Sequence, residues 1–317
     1  MRKVLTFLMI TVIAVITVAC SSNSNKEESS ASDTAKKAEG EIVVQHELGE
    51  TKVPKNPKKV VVFDFGTLDT LDTLGVDVTA LPKNNIPTYL SKYEDDKYKN
   101  VGSLKEPDFE KIHQLQPDLI IISARQADLY DEFAEIAPTI YLGVDPENYM
   151  DSFTKNAKTL GEIFEKESVV AEELAKIDDE VKTLKEKANK SGKEALVILA
   201  NDGKVSAFGP KSRFGLIHDE FGFTPVDKNI EVARHGQSIS FEYIVEKDPD
   251  LLFVIDRGAV VGGESSAKQV VENELVKNTT AVKEGNVIYL DPNYWYLSGG
   301  GLVSVLEMVK EVEAGLE

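Results

Sequence analysis

Hydrophobic residues in this chain occur mainly as continuous runs rather than in strict alternation with polar residues. Residues 119–122 and 251–255 form two such runs, and each is preceded by Pro-Asp and closely followed by an arginine. Runs of this length are typical of strands that are buried on both faces of a parallel sheet. Shorter runs of the same kind predict further strands at residues 59–63, 139–142, 195–200, 205–208 and 287–290.

The two longest runs belong to an internal repeat. Residues 109–125 (FEKIHQLQPDLIIISAR) and 241–257 (FEYIVEKDPDLLFVIDR) share Phe, Glu, Ile, Pro, Asp, Leu and Arg in register. Each copy predicts a short helix that ends before Pro-Asp, then a buried strand, then an arginine at the C-terminal end of that strand. Alternating strands and helices in each half predict two α/β lobes, at residues 41–150 and 192–317.

Residues 151–191 lie between the predicted lobes and contain no proline and one glycine. Apolar residues recur there at the three-and-four spacing of an amphipathic helix. We interpret the segment as a helical connector, and a helix that pairs with a coiled-coil partner is the alternative. The expected fold class is therefore α/β, with two Rossmann-like lobes joined by one long backbone helix.

The N-terminus has the features of an export signal. Basic residues precede an apolar run at residues 4–19, which is shorter than the roughly 20 residues of a membrane-spanning helix. Cys20 follows the run, and TVAC (residues 17–20) resembles a lipoprotein box. We expect residues 1–19 to be a signal peptide and residues 20–40 to be a lipidated cysteine with a flexible linker, which would hold the protein on the extracytoplasmic face of the cell membrane. Plain secretion with a free thiol is the alternative.

Charge and motif content exclude several kinds of function. The formal net charge is −18, which disfavours nucleic acid as a partner. The sequence contains no nucleophile elbow, phosphate loop or dinucleotide-binding motif, so an exported hydrolase is a remote alternative. The four histidines are scattered without the spacing of metal ligands, which disfavours a zinc or manganese receptor.

Three arginines are candidates for binding an anion. In open α/β sheets, ligands bind beyond the C-terminal ends of the strands, and the repeat places Arg125 and Arg257 there, one in each lobe. Arg213 follows Pro-Lys-Ser at a predicted helix start, where free N–H groups also favour anions. Because guanidinium groups bind anionic oxygens with forked donors, the three residues predict a clamp for a small anionic ligand. Pairing of these arginines with surface carboxylates is the alternative.

These features together resemble a known family, the class III substrate-binding lipoproteins of ABC importers for ferric siderophores, haem and cobalamin. The stretches VVVFDFGTLDTLDTLG, RHGQSISFEYI and YWYLSGGG are most similar to Gram-positive receptors for petrobactin and related catecholate siderophores. The resemblance implies a monomer without catalysis or an intrinsic cofactor, which binds a ferric catecholate siderophore between its lobes and delivers it to a permease. Haem, cobalamin and hydroxamate siderophores are alternative ligands.

The resemblance also assigns roles to individual residues. It implies that Arg125, Arg213 and Arg257 hold the ligand, and that His235 and Tyr296 can ligate iron directly when a siderophore supplies only four oxygens. A polar surface role is the alternative for His235.

Aromatic residues are further candidates for the ligand site. Trp295 and Phe65 could cover the catecholate rings, Phe65 because it lies at a predicted strand-to-helix turn. Packing in the core is the alternative for both residues.

Two glutamates recur at the same position of the repeat. By resemblance to the family, Glu110 and Glu242 would dock onto arginines of the permease. The alternative is a solvated carboxylate at a helix start, where negative charge suits the helix dipole.

Overall fold

The computed structural model of this protein describes residues 40–264, 266–271 and 273–316. The predicted signal peptide, the predicted lipidation site at Cys20 and most of the linker lie outside the described residues. Within the described part of the chain, no helix is both long and apolar enough to cross a membrane.

The first half contains a five-stranded parallel sheet with the order β5-β4-β3-β6-β7, and an antiparallel hairpin, β1–β2, precedes it. The strands are β1 (Glu41–His46), β2 (Gly49–Pro54), β3 (Val60–Val62), β4 (Ala80–Leu81), β5 (Lys99–Asn100), β6 (Leu119–Ile122) and β7 (Thr139–Tyr141). The helices are α1 (Phe65–Thr73), α2 (Phe109–Leu115) and α3 (Tyr130–Ala134), with 3₁₀ turns at Thr88–Glu94, Ala127–Leu129 and Pro146–Asn148.

The connector consists of two helices, α4 (Tyr149–Phe164) and α5 (Glu167–Ser191), rather than one. The break falls at Glu165, which ends α4 in the left-handed conformation with φ 53°. The backbone N–H of Lys166 then donates to the carbonyl of Gly161 at 2.7 Å. No glycine or proline marks this break, which is why the sequence pattern predicted a continuous helix.

The second half contains a six-stranded mixed sheet with the order β11-β9-β8-β12-β13, and β10 pairs with β8. Its strands are β8 (Glu194–Asn201), β9 (Lys204–Phe208), β10 (Thr224–Pro225), β11 (Gln237–Ile239), β12 (Leu251–Asp256) and β13 (Val287–Leu290). The helices are α6 (Leu216–Asp219), α7 (Phe241–Lys247), α8 (Gly258–Val261), α9 (Ala267–Val271), α10 (Thr280–Lys283) and α11 (Leu302–Ala314), with a 3₁₀ turn at Val276–Asn278 and a π turn at Asn293–Leu297.

The Pro-Asp pair of the repeat has the same structural role in both halves. The Asp118 carboxylate accepts hydrogen bonds from the backbone N–H groups of Lys58 and Lys59, both at 2.8 Å. The Asp250 carboxylate accepts from the N–H of Glu194 at 2.8 Å. Each aspartate therefore fixes the start of the strand that pairs with its own, which holds β3 against β6 and β8 against β12.

The two sheets confirm the predicted α/β fold. The exact lobe limits at residues 41–150 and 192–317 stay predictions, because the described residues form one compact unit. Helix α11, at the end of the chain, packs against α1 of the first half as well as against α5.

Candidate functional site

A cavity of about 1240 Å³ opens at the C-terminal ends of the parallel strands. Residues that follow strands of both sheets line it, including Asp64 after β3, Arg125 after β6 and Arg257 after β12. This is the location expected for a ligand in an α/β protein.

The three predicted arginines converge on one residue, Tyr296. Arg125 and Arg213 each donate from Nη2 to the backbone carbonyl of Tyr296, at 3.0 and 2.6 Å. Arg257 donates from Nε to the Tyr296 hydroxyl at 2.8 Å. The guanidinium carbon of Arg213 also lies 4.3 Å from the centre of the Tyr296 ring, within the range of a cation–π contact. The fold thus brings together all three arginines from distant parts of the chain.

The π turn at Asn293–Leu297 presents Tyr296 to the arginines. The backbone N–H of Ser298 donates to the Asn293 carbonyl at 3.2 Å, which closes a wider turn than an α-helix would. Such turns are rare and often occur at functional sites.

Burial and like charges shift the ionisation of this cluster. Burial, assisted by the charge of Arg125, lowers the pKa of Arg213 to about 10, so its guanidinium stays charged at neutral pH. Burial alone would raise the pKa of Tyr296. The hydrogen bond from Arg257 and the charges of the arginines outweigh that effect, so the pKa of the phenol lies below its ordinary value.

The three arginines of the cluster have no carboxylate in direct contact among the described residues. Among the residues that the structure describes, Arg125, Arg213 and Arg257 form hydrogen bonds to a carbonyl, a phenol and an amide, and none of them forms a salt bridge with a carboxylate. The alternative that these arginines pair with surface carboxylates is therefore disfavoured.

Arg213 reaches the cluster without the predicted helix start. The nearest helix, α6, begins three residues later at Leu216 and has only four residues. The backbone N–H of Lys211 already donates to the Asp219 carboxylate at 2.6 Å. The predicted helix start at Arg213 therefore does not coincide with α6, and assistance from free N–H groups stays a prediction.

His235 is exposed in the turn before β11 and lines the cavity, as Tyr296 does. Among the residues that the structure describes, no group of three or more His, Cys, Asp or Glu side chains is placed to hold a metal ion. Ligation of iron by His235 and Tyr296 stays a prediction.

Both aromatic candidates pack in the same hydrophobic core, and only Trp295 also lines the cavity. Trp295 lines the cavity but is only 2% exposed, and its indole N–H donates to the Glu311 carboxylate at 2.8 Å. Phe65 is 1% exposed and packs in the hydrophobic core as the first residue of α1. The expectation that Phe65 covers a ligand ring is corrected by this position, because its side of the helix faces the core.

Glu110 and Glu242 occupy equivalent exposed positions in the first turns of α2 and α7. At the start of α2 the Asp108 carboxylate accepts a hydrogen bond from the backbone N–H of Lys111. At the start of α7 the Ser240 hydroxyl accepts one from the backbone N–H of Tyr243. The hydrogen bond from its own backbone N–H, and that from Ser240, lower the pKa of Glu242. Both carboxylates are thus solvent-accessible, one in each half of the protein.

Sequence reasoning missed several residues that line the cavity. Asn201 accepts a hydrogen bond from Nη1 of Arg257 at 2.6 Å and so orients that guanidinium. It lies at the C-terminal end of β8, so the rule that identified Arg125 would also have identified it. Further charged residues of both signs line the cavity: Lys105, Lys204, Lys211, Arg234, Glu47, Asp64 and Asp145.

Comparison with known proteins agrees with this geometry. Residues 60–294 match the periplasmic binding protein family. Petrobactin-binding protein YclQ of Bacillus subtilis (strain 168) is 59% identical over 321 residues, which cover 100% of both chains. The crystal structure of YclQ from Bacillus subtilis has a TM-score of 0.86 and 63% identity, and covers 88% of this chain and 99% of that chain. The structure of the periplasmic catecholate-siderophore binding protein VctP from Vibrio cholerae has a TM-score of 0.83 and 37% identity, over 87% of this chain and 100% of that chain. The chain therefore belongs to the periplasmic binding protein family and has the class III fold expected from its sequence.

Proposed function

We propose that this chain is the extracytoplasmic solute-binding protein of an ABC importer, and that it binds a ferric catecholate siderophore of the petrobactin type and delivers it to the permease. The observation that carries this proposal is the convergence of Arg125, Arg213 and Arg257 in one cavity without a carboxylate partner among the described residues. A ferric tris-catecholate is a trianion, so it supplies the negative charge that this cluster lacks. The ligands named for YclQ and VctP support the same assignment.

The charge of the site also discriminates between ligands. A ferric trihydroxamate chelate has no net negative charge, and it would leave three poorly hydrated guanidinium groups uncompensated. Haem and cobalamin likewise offer fewer chelate oxygens to the forked donors. No step of the proposed function requires catalysis or a resident cofactor.

The proposed location follows from the N-terminus. Lipidation of Cys20 after removal of residues 1–19 would tether the protein to the membrane, with residues 20–40 as a flexible leash. We propose that the protein acts there as a monomer.

Intrinsic fluorescence provides a direct test of the ligand class, because Trp295 is the only tryptophan and lines the cavity. We expect tight, saturable quenching by ferric petrobactin and by a second ferric catecholate. Ferric hydroxamate, haem and cobalamin should bind much more weakly under the same conditions. Equal affinity for the ferric hydroxamate, or no binding of either catecholate, would contradict the proposal.

We propose in addition that His235 and Tyr296, which both line the cavity, complete the coordination of iron when a siderophore supplies only four oxygens. Imidazole nitrogen and phenolate oxygen are both ligands of iron in proteins. The His235→Ala variant should then shift the charge-transfer absorption band of a bound ferric bis-catecholate.

Two controls make that measurement specific. The band of a ferric tris-catecholate, whose coordination is complete, should be unchanged in His235→Ala. The Arg234→Ala variant alters a neighbouring exposed residue of the same cavity and should leave both spectra unchanged. Identical bis-catecholate spectra for His235→Ala and the unmodified protein would rule out ligation by His235.

A further inference from the structure

Helix α1 contains a fully buried carboxylate, that of Asp69, which is 0% exposed. Its Oδ1 accepts a hydrogen bond from the backbone N–H of Val303 at 2.9 Å, and its Oδ2 accepts from that of Ser304 at 2.7 Å. The hydroxyl of Tyr89 donates to Oδ2 at 3.0 Å. Asp69 therefore caps the N-terminus of α11, a helix more than 200 residues away in the chain, and the positive end of that helix favours its negative charge.

The same carboxylate belongs to a network that extends to the π turn. The Tyr89 hydroxyl oxygen lies 2.7 Å from Oγ of Ser298. The Oγ of Ser298 also lies 2.7 Å from the Asn293 carbonyl, so its one proton is donated either to that carbonyl or to the Tyr89 oxygen. Ser304 donates from Oγ to the Ser298 carbonyl at 2.7 Å. The network thus binds both the first residue of the π turn and the residue that follows it.

Two glycines allow α1 to approach this segment closely. A Cβ atom on Gly301 would lie 2.4 Å from Oδ2 of Asp69, and one on Gly66 would lie 2.9 Å from the Ser298 carbonyl oxygen. Both distances are too short for a side chain, so the Gly299-Gly300-Gly301 segment can lie directly against α1. This contact accounts for Gly301, the last of the three glycines that follow the YWYLS stretch, whereas Gly300 adopts the left-handed region with φ 103°.

We infer that Asp69 is a positioning residue of the ligand site, which anchors residues 298–304 on α1 and so holds Tyr296 where the arginines converge. Tyr296 lies two residues before Ser298, and its carbonyl receives both Arg125 and Arg213. The anchor joins a helix of the first half to a turn that follows the last strand of the second half, at the edge of the cavity. The inference rests on the proposed function in one respect, because its test measures affinity for the proposed ligand.

The ionisation of Asp69 gives a second readout. Burial raises the pKa of Asp69 to about 6, against the hydrogen bonds from Val303, Ser304 and Tyr89. The titratable groups that face it from the neighbouring elements are the phenols of Tyr89 and of Tyr294, whose rings pack with centres 4.8 Å apart. The carboxylate is thus charged at pH 7.5 and mostly protonated at pH 5.

The chain offers a matched control for the network. Tyr93 donates from its hydroxyl to the Asp72 carboxylate at 2.9 Å, one turn further along α1. Tyr89→Phe and Tyr93→Phe therefore each remove one hydroxyl that donates to a carboxylate of α1, but only Tyr89 also contacts Ser298.

The experiment compares Asp69→Asn, Tyr89→Phe and Tyr93→Phe by titration with ferric petrobactin and by thermal unfolding. We expect Asp69→Asn and Tyr89→Phe to bind on the order of threefold to tenfold more weakly, the loss typical of one hydrogen bond. Tyr93→Phe should lose about as much thermal stability as Tyr89→Phe, but it should bind ferric petrobactin as tightly as the unmodified protein does. The unmodified protein should bind more tightly than Asp69→Asn at pH 7.5. This difference in affinity should disappear as the pH falls through 6, because Asp69 then becomes protonated and uncharged like asparagine.

The inference is overturned if Asp69→Asn and Tyr89→Phe bind as tightly as Tyr93→Phe, or if the difference in affinity between the unmodified protein and Asp69→Asn does not change with pH. Tyr89→Phe, the milder change, decides the matter if Asp69→Asn fails to fold. If the unmodified protein binds no ferric catecholate, the proposed function fails instead. The same variants are then compared with whichever ligand of the panel does bind.

Discussion

Replacing Arg213 with alanine is expected to weaken the binding of ferric petrobactin by roughly 10- to 150-fold, since a hydrogen bond to a charged group contributes about 1.5–3 kcal/mol. Burial lowers the pKa of this guanidinium to about 10, which means that its charge is poorly hydrated in the empty site. An anionic ligand therefore compensates Arg213 at little cost in lost hydration. Because no carboxylate partner is left behind among the described residues, the change should affect the ligand more than the fold.

Fluorescence titration at fixed ionic strength measures this loss, and two variants define its origin. Arg213→Lys should bind with intermediate affinity, because an ammonium group keeps the charge but loses the forked geometry. Arg234→Ala removes an exposed arginine that lines the same cavity and should have only a small effect, because exposed charges are screened by solvent. An affinity of Arg213→Ala within about twofold of the unmodified protein would remove Arg213 from the clamp.

The sheets were predictable from the sequence because their central strands are buried on both faces. Strands β6 and β12 read as continuous apolar runs, and their residues up to Ile122 and Ile255 are 0% exposed. The Pro-Asp pairs could be recognised as a repeat, and the structure adds the reason for the aspartates. Asp118 and Asp250 fix the backbone at the start of the neighbouring strand.

Other features depend on contacts that a sequence pattern does not record. Glu165 ends α4 in a left-handed conformation that glycine or asparagine would more commonly mark. Phe65 was correctly located at a strand-to-helix turn, but this position does not indicate which side of the helix faces the core. Both departures arise where tertiary packing selects one of several locally acceptable arrangements.

The arginines were predictable individually, whereas their common partner was not. Strand ends identified Arg125 and Arg257, but the group that Arg125 and Arg213 share is a backbone carbonyl, which every residue possesses. The π turn that presents this carbonyl is stabilised by Tyr89, about 200 residues earlier in the chain. Local sequence around Tyr296 therefore contains only part of the information that shapes the site.

Reversing two charges, as Glu110→Lys with Glu242→Lys, is expected to abolish siderophore uptake while leaving siderophore affinity unchanged. Both glutamates are exposed, lie at equivalent positions of α2 and α7, and are outside the set of residues that line the cavity. We propose that they form salt bridges with permease arginines, one from each half of the protein. Reversal would replace two attractions by two repulsions at once, and like charges across an interface cost several kcal/mol.

The matched control carries the same charge change elsewhere on the surface. Glu132 and Glu167 are also exposed glutamates in the first turns of helices, α3 and α5. The Glu132→Lys, Glu167→Lys double variant therefore incurs a similar helix-dipole penalty of about 0.3–1 kcal/mol per site.

Uptake of radiolabelled iron from ferric petrobactin, in cells that lack any other receptor for it, should fall to background for the Glu110 and Glu242 pair and stay normal for the control. Normal uptake by the first pair, or equal loss in both, would show that these two carboxylates are not the contacts through which the protein meets its permease.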